Sequence, residues 1–130
     1  MLIPRLYFQH FTGTSYVLDL PGGRLGAFLV GFVSQSTPHV GYIHLVAVSP
    51  ALRRTGVGAG MYRRFFADMT PRGVREVHSI TSVGNRRSLA FHTGLGFTLA
   101  PGDAKVDGLP VHSNYDGPGR DVFKFVKHLP

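Results

Sequence analysis

A chain of 130 residues with 43% hydrophobic content can enclose one core and is too short for two ordinary domains, so residues 1–130 read as one globular unit. It has no cysteine, which excludes disulfide staples, thiolate metal sites and covalent cysteine chemistry, and it has no apolar run near the ~20 residues of a membrane span. Fourteen Lys and Arg against seven Asp and Glu leave a net charge of +7, a balance that favours an anionic partner such as nucleic acid, a phosphorylated cofactor or an acidic surface.

The N-terminus "MLIPRLYFQHF" lacks a basic region followed by an unbroken apolar stretch, so a cytoplasmic protein is expected. "TSYVLDL" (14–20), "PGG" and "RLGAFLVGFVS" (24–34) read as two strands joined by a turn. "HVGYIHLVAVS" (39–49) is a third strand, nearly continuous in apolar residues and therefore expected at the centre of the sheet, with Pro50 ending it. From Gly56 onward Val57, Met61, Phe65 and Met69 recur at four-residue spacing, which predicts a helix burying that face until Pro71 and Gly73 stop it. "REVHSITSV" (75–83) is a strand. "NRRSLAFHTG" (85–94) is a short helix, with Asn85 placed to cap its start and Gly94 its end. "GFTLA" is a strand, 101–119 a long loop, and "DVFKFVKHL" a final strand. This alternation is an α/β pattern.

Charge is distributed unevenly along these elements. Arg53, Arg54, Arg63, Arg64, Arg72, Arg75, Arg86 and Arg87 cluster in the middle third, whereas Asp103, Asp107, Asp116 and Asp121 lie together near the end. Two ligand ends of different charge would suit such a division.

"RRTGVGAG" (53–60) sits where the long helix begins. The first N–H groups of a helix lack partners and carry the positive end of its dipole, so a phosphate fits there, and glycine lets it approach the chain closely. The stretch is not a Walker loop, having no Gly-Lys-Ser/Thr ending, and Gly56, Gly58 and Gly60 miss the dinucleotide-binding spacing by one residue. By itself the glycine cluster is equally compatible with an ordinary tight turn.

The flanking residues add specificity. "VAVSPALRRTGVGAGMYRRFF" resembles motif A of the GNAT acetyltransferase superfamily, matching at Val48, Pro50, Arg53, Gly56 and Gly58. "NRRSLAFHTGLGF" (85–97) resembles motif B at Asn85, Gly96 and Phe97, and conservatively at Ser88 and Phe91. The two motifs stand in the family's order, and the resemblance extends over residues 24–128.

This resemblance implies a mixed α/β (α+β) fold: a central, mostly antiparallel, twisted sheet with splayed central strands and helices on both faces. It implies acetyl-CoA as cofactor, an amine of unknown identity as acceptor, and no metal. Arg53, Arg54, Thr55, Gly56, Val57 and Gly58 would hold the pyrophosphate, and Val46, Ala47 and Val48 would border the pantetheine arm. Asn85 and Ser88 would lie along that arm, and Phe91 near the thiol.

Transfer to an amine needs a base, a stabilised oxyanion and a proton for the thiolate. His44 stands near the position of the family's glutamate base, and an imidazole of pKa ~6.5 suits that role. A strand period of two would put Tyr42, His44, Val46 and Val48 on one face. His92 occupies the position of the tyrosine that protonates the thiolate in relatives. Tyr42 and Tyr115 are candidates for the acceptor pocket, and Asp103, Asp107 and Asp116 for attracting a cationic amine.

Only about a dozen residues precede the hairpin, where relatives place a strand and one or two helices. Either the fold is shortened or the natural protein starts upstream of Met1. A bare sheet edge at "TSYVLDL" would favour a homodimer or poor stability. Two other readings compete: an acyl-CoA-binding module without catalysis, and a basic nucleic-acid-binding domain, the latter disfavoured because no helix-turn-helix or RNA-binding aromatic motif is present.

Overall fold

The computed structural model describes residues 5–130. Its elements are α1 (Leu6–His10), β1 (Tyr16–Leu20), β2 (Arg24–Val33), β3 (Val40–Val48), α2 (Val57–Met69), β4 (Glu76–Ser82), α3 (Arg86–Gly94), β5 (Thr98–Leu99), β6 (Ala104–Val106), β7 (Leu109–Val111) and β8 (Val122–His128). Six strands form one sheet in the order β1-β2-β3-β4-β8-β5, and β6-β7 is a separate hairpin. Among the described residues only β3 and β4 run parallel; the other pairs are antiparallel. The mixed architecture and mostly antiparallel sheet expected from the sequence are therefore present.

Two glycines set how closely α2 lies on the sheet. A Cβ at Gly31 would stand 2.7 Å from the Phe65 ring, and one at Gly41 would stand 3.2 Å from it. Phe65, fully buried, thus rests directly on the backbone of β2 and β3. Tyr62, Phe65 and Met69 carry the buried face of α2, joined in the core by Leu29, Ile43, Val77 and Phe125. Val57 and Met61, expected on that face, are half-buried at its margin. The spacing of 62, 65 and 69 follows the true helical period of 3.6 more closely than a strict step of four.

Aromatic side chains of α1 and the residue after it pack against β2, with Phe8 against Phe28 and Phe11 against Phe32. Among the described residues β1 is one edge strand of the sheet, paired with β2, and its Val17 is 52% exposed. The stretch 101–119, read from the sequence as loop, contains the β6-β7 hairpin. Asp107 and Gly108, both at positive φ, make its turn, a two-residue Asp-Gly connection of the kind that matches strand twist. At the end of α3 it is Gly96, at φ +90°, and not Gly94 that takes the left-handed conformation.

Candidate active site

The β3-β4 ladder is short. It runs from Val40 opposite Glu76 to Tyr42 opposite His78 and then stops, although both strands continue. Where it stops, the Ser79 hydroxyl donates to the Ile43 carbonyl at 3.1 Å. Beyond that link the strands diverge, which is the splay expected from the sequence. A cleft of about 970 Å³ lies there, lined by β3 from His44 to Val48, by the loop and start of α2, by Ser79, Ile80 and Thr81 of β4, and by α3.

The backbone of β3 supplies groups to this gap. Ser49 N–H donates to the Gly26 carbonyl at 2.7 Å, so in the alternation of an antiparallel pair Ala47 and Leu45 also face β2. The main-chain groups of Val46 and Val48 consequently point the other way, into the gap. Ala47 borders the cleft but spends its backbone on β2.

His44 has no Cα partner on β2, because the pairing passes from Leu45 opposite Val30 to Ile43 opposite Gly31. This bulge breaks the period of two and corrects the expectation that Tyr42, His44, Val46 and Val48 share a face. Val46 packs on the core and Val48 approaches the start of α2, whereas Tyr42 stacks on Phe32 and His44 on Tyr7, the latter at 5.0 Å and 9°. His44 is exposed and still lines the cleft, at its Tyr7 end.

The loop before α2 lies at the opposite end. Arg54 and Gly56 are left-handed, at φ +64° and +83°, and the step from left-handed Gly56 into right-handed α2 turns successive N–H groups toward one side. Gly56 is the N-cap and contributes no side-chain bond, so the first N–H groups of α2 stay free. A Cβ at Gly58 would meet Val48 at 3.5 Å and Phe91 at 3.6 Å; α2, β3 and α3 converge on this residue. Arg53, Arg54, Gly56, Val57 and Gly58 all line the cleft. Thr55 does not: its hydroxyl donates to the Leu52 carbonyl and braces the loop.

Asn85, Ser88 and Phe91 of the α3 segment border the cleft. The Asn85 side-chain oxygen is already committed, accepting from Ser88 N–H at 3.1 Å as the helix cap. His92 is 4% exposed, and both ring nitrogens are occupied. Nδ1 lies 2.8 Å from the Ser88 carbonyl and 3.2 Å from the Ser88 hydroxyl, and Nε2 lies 3.0 Å from the Tyr62 hydroxyl. Burial lowers its pKa from the usual imidazole value, with the Ser88 carbonyl acting in the opposite sense. His92, expected as the acid, is thus a buried, hydrogen-bonded histidine. Sequence reading also missed Tyr62 and Ser79. The signal for Tyr62 lay in its spacing to Phe65 and Met69.

The acidic residues of 101–119 separate by their partners. Asp103 accepts from the Ser113 N–H at 2.8 Å and from the Ser113 hydroxyl. Asp107 meets Arg86 at 3.4 Å in the open. Asp116 instead lines a second cavity of about 470 Å³ with Ser82, Arg120 and Asp121. It lies close enough to Tyr42 that, after burial and Tyr115, it helps push the Tyr42 phenol pKa up. Among the described residues no cluster of potential metal ligands occurs, and no helix is long and apolar enough to cross a membrane.

An uncapped helix start beside a parted pair of parallel strands is the arrangement that the two sequence motifs imply, and the model of the Acetyltransferase (GNAT) family matches residues 3–97. The chain belongs to the GNAT acetyltransferase family. This GNAT chain is 29% identical over 86 residues to the L-2,4-diaminobutyric acid acetyltransferase of Nocardia farcinica, covering 66% of this chain and 44% of that protein. It is 35% identical over 77 residues to the mycothiol acetyltransferase of Corynebacterium glutamicum, covering 58% and 26%. It therefore spans less than half the length of either relative. In fold it is similar to Naa20 of Chaetomium thermophilum, solved with a bisubstrate analogue, with a TM-score of 0.77 at 17% identity over 95% of this chain and 70% of that one. The ribosomal-protein-S18-alanine N-acetyltransferase of Escherichia coli superposes with a TM-score of 0.67 at 21% identity, over 88% and 68%.

Proposed function

We propose that this chain is an acetyl-CoA-dependent N-acetyltransferase that moves the acetyl group to a primary amine by direct attack. One observation carries the reading: the free N–H groups at Gly56–Gly58 and the free backbone of Val46 and Val48 border one continuous cleft. A pyrophosphate would be held at the loop by main-chain N–H groups and the helix dipole, assisted by Arg53 and Arg54 through charge-assisted bonds. The amides of a pantetheine arm would continue the β3 edge as a strand does, with Asn85, Ser88 and Phe91 along its other side. The thioester would then lie near the Ser79–Ile43 link, where free β3 amides can stabilise the oxyanion.

The amine would enter from the Tyr7–His44 side, the cleft end away from the loop. The exposed His44 imidazole would take the proton that the attacking nitrogen sheds, and the thiolate would receive one in turn. The homology to two proteins named as acetyltransferases supports the reaction class.

Thermal melting with acetyl-CoA, followed by thiol release against a panel of amines, tests this. A ligand that binds only the folded chain raises the melting temperature according to its concentration over Kd. A shift with turnover is expected. A shift without turnover on any amine would leave a binding module, and no shift at saturating acetyl-CoA would overturn the reading.

A further inference from the structure

Along β4, Val77 and Ser79 are buried on the α2 side of the sheet, so in a strand's alternation His78, Ile80 and Ser82 face the other way. Tyr42, the Cα partner of His78, shares that second face, and Ser82 lines the cavity of about 470 Å³ there with Asp116, Arg120 and Asp121. The loop that carries these charges is fixed by its own bonds. Asn114 N–H donates to Asp121 Oδ1 at 2.9 Å, Gly119 N–H to Asn114 Oδ1 at 2.8 Å, and Tyr115 N–H to the Arg120 carbonyl at 3.0 Å. Among the described residues neither Asp116 nor Asp121 forms an ion pair with Arg120. Two carboxylates and a guanidinium thus border one cavity without neutralising one another. Tyr42 links this cavity to the cleft: after burial, Tyr115, Asp116 and Tyr7 push its phenol pKa up, so Asp116 and Tyr7 both lie near that hydroxyl. Tyr7 in turn stacks on His44, which lines the cleft. Lys124, opposite Ile80 on the same face, holds its ammonium over the Tyr115 ring, 5.9 Å from the centroid.

A purely cationic group in this cavity would meet Arg120, and a purely anionic one would meet Asp116 and Asp121. A group that carries both charges satisfies all three through charge-assisted bonds. We propose that the acceptor is a free α-amino acid with a second amine on its side chain, its carboxylate on Arg120, its α-ammonium on Asp116 and Asp121, and its side-chain amine beside His44. The inference rests on the acetyl-transfer reading above and names the acceptor of that site. An ammonium held by carboxylates has no free electron pair and cannot attack a thioester, so the attacking nitrogen is the distal one, beyond the Tyr42 ring. There the N–C bond forms and the thioester C–S bond breaks. His44 takes the proton that the nitrogen sheds, and solvent returns one to the thiolate.

Thiol release from acetyl-CoA by the full chain tests this with acceptors that differ by one charge. Ornithine carries both charges of the head group, putrescine lacks its carboxylate, and 5-aminovalerate lacks its α-ammonium; lysine, cadaverine and 6-aminohexanoate repeat the comparison with one more methylene. In the better-accepted length, kcat/KM for the diamino acid should exceed both analogues by about tenfold or more, with the difference in KM. Arg120→Ala should bring the preference over the diamine to within about twofold while the preference over the ω-amino acid persists, and Asp116→Asn should weaken the latter. Arg120→Glu should reverse the first preference in favour of the diamine, which a loss of loop structure would not do. A diamine or an ω-amino acid used as well as the diamino acid would overturn the proposal, as would a selectivity that Arg120→Ala leaves unchanged. Turnover of other amines but of neither diamino acid would overturn it and leave the acetyl-transfer reading standing. If acetyl-CoA fails to raise the melting temperature of the unaltered chain, that reading falls and takes this proposal with it.

Discussion

The two ends of the cleft are built from different materials. At the Arg53–Gly58 end the groups facing the cavity are mostly main chain: free N–H groups of an uncapped helix, held by left-handed Arg54 and Gly56. At the other end they are side chains from three elements, Tyr62 of α2, Ser79 of β4 and His92 of α3, tied together in the core. A backbone site depends on local conformation and tolerates many side chains. A side-chain site depends on distant elements meeting, so the loss of one atom is felt. The first end should respond to bulk and the second to chemistry.

The largest expected effect is at the junction of both. A leucine at Gly58 would project where a Cβ already meets Val48 and Phe91 in ordinary contact, and would fill the cleft. Gly58→Leu should abolish the melting shift induced by acetyl-CoA, an effect worth about 4 kcal/mol at a thousandfold excess over Kd, whereas Gly58→Ala should retain most of it. A leucine variant with an undiminished shift would mean that the coenzyme does not pass between α2, β3 and α3.

The second effect is chemical and reads out as pH dependence. His92 has a lowered pKa in the folded chain, so between that value and the ~6.5 of the unfolded imidazole the unfolded state binds the extra proton. Stability should therefore rise with pH across that window and fall as the solution is acidified through it. His92→Gln should be less stable at neutral pH by about 1–3 kcal/mol, because the Tyr62 hydroxyl loses its partner. It should also lose this part of the acid sensitivity, so its melting-temperature deficit shrinks toward pH ~5. A deficit constant over pH would show that His92 is not held neutral.

The smallest effect concerns the proposed acceptor side, where the Asp116 carboxylate lines the second cavity. Asp116→Asn should raise the KM for a cationic amine about two- to threefold with kcat unchanged, and more at low salt, as exposed charges do. Asp103→Asn, whose carboxylate is occupied by Ser113, should leave that KM unchanged. Equal effects from both would point to general electrostatic attraction and not to a defined contact.

Much of the loop end was legible because its determinants are consecutive. The spacing of Arg53, Gly56 and Gly58 after a strand predicts the free helix start, and the structure adds that Thr55 braces the loop and does not line the cleft. Asn85 was legible as a helix cap for the same reason. The hairpin in 101–119 was missed although its Asp107-Gly108 turn is a local signal. His44 shows the limit of a local rule. Strict alternation grouped it with Val46 and Val48, but a bulge, decided by how β2 and β3 come into register, turned it toward Tyr7.

What the sequence determined by itself was the order of elements, the family and the glycine-rich start of α2, because each rests on residues within about a dozen positions of one another and on backbone physics that acts locally. What only the tertiary structure decided was the partnership of Tyr62 and His92, residues 30 apart in the chain. No periodicity encodes that a hydroxyl on one helix and an imidazole on another will lie 3.0 Å apart. Their meeting follows from the close seating of α2 on the sheet over Gly31 and Gly41, and from the stacking of His92 on Phe125. Close packing in the core converts those distant choices into one hydrogen bond.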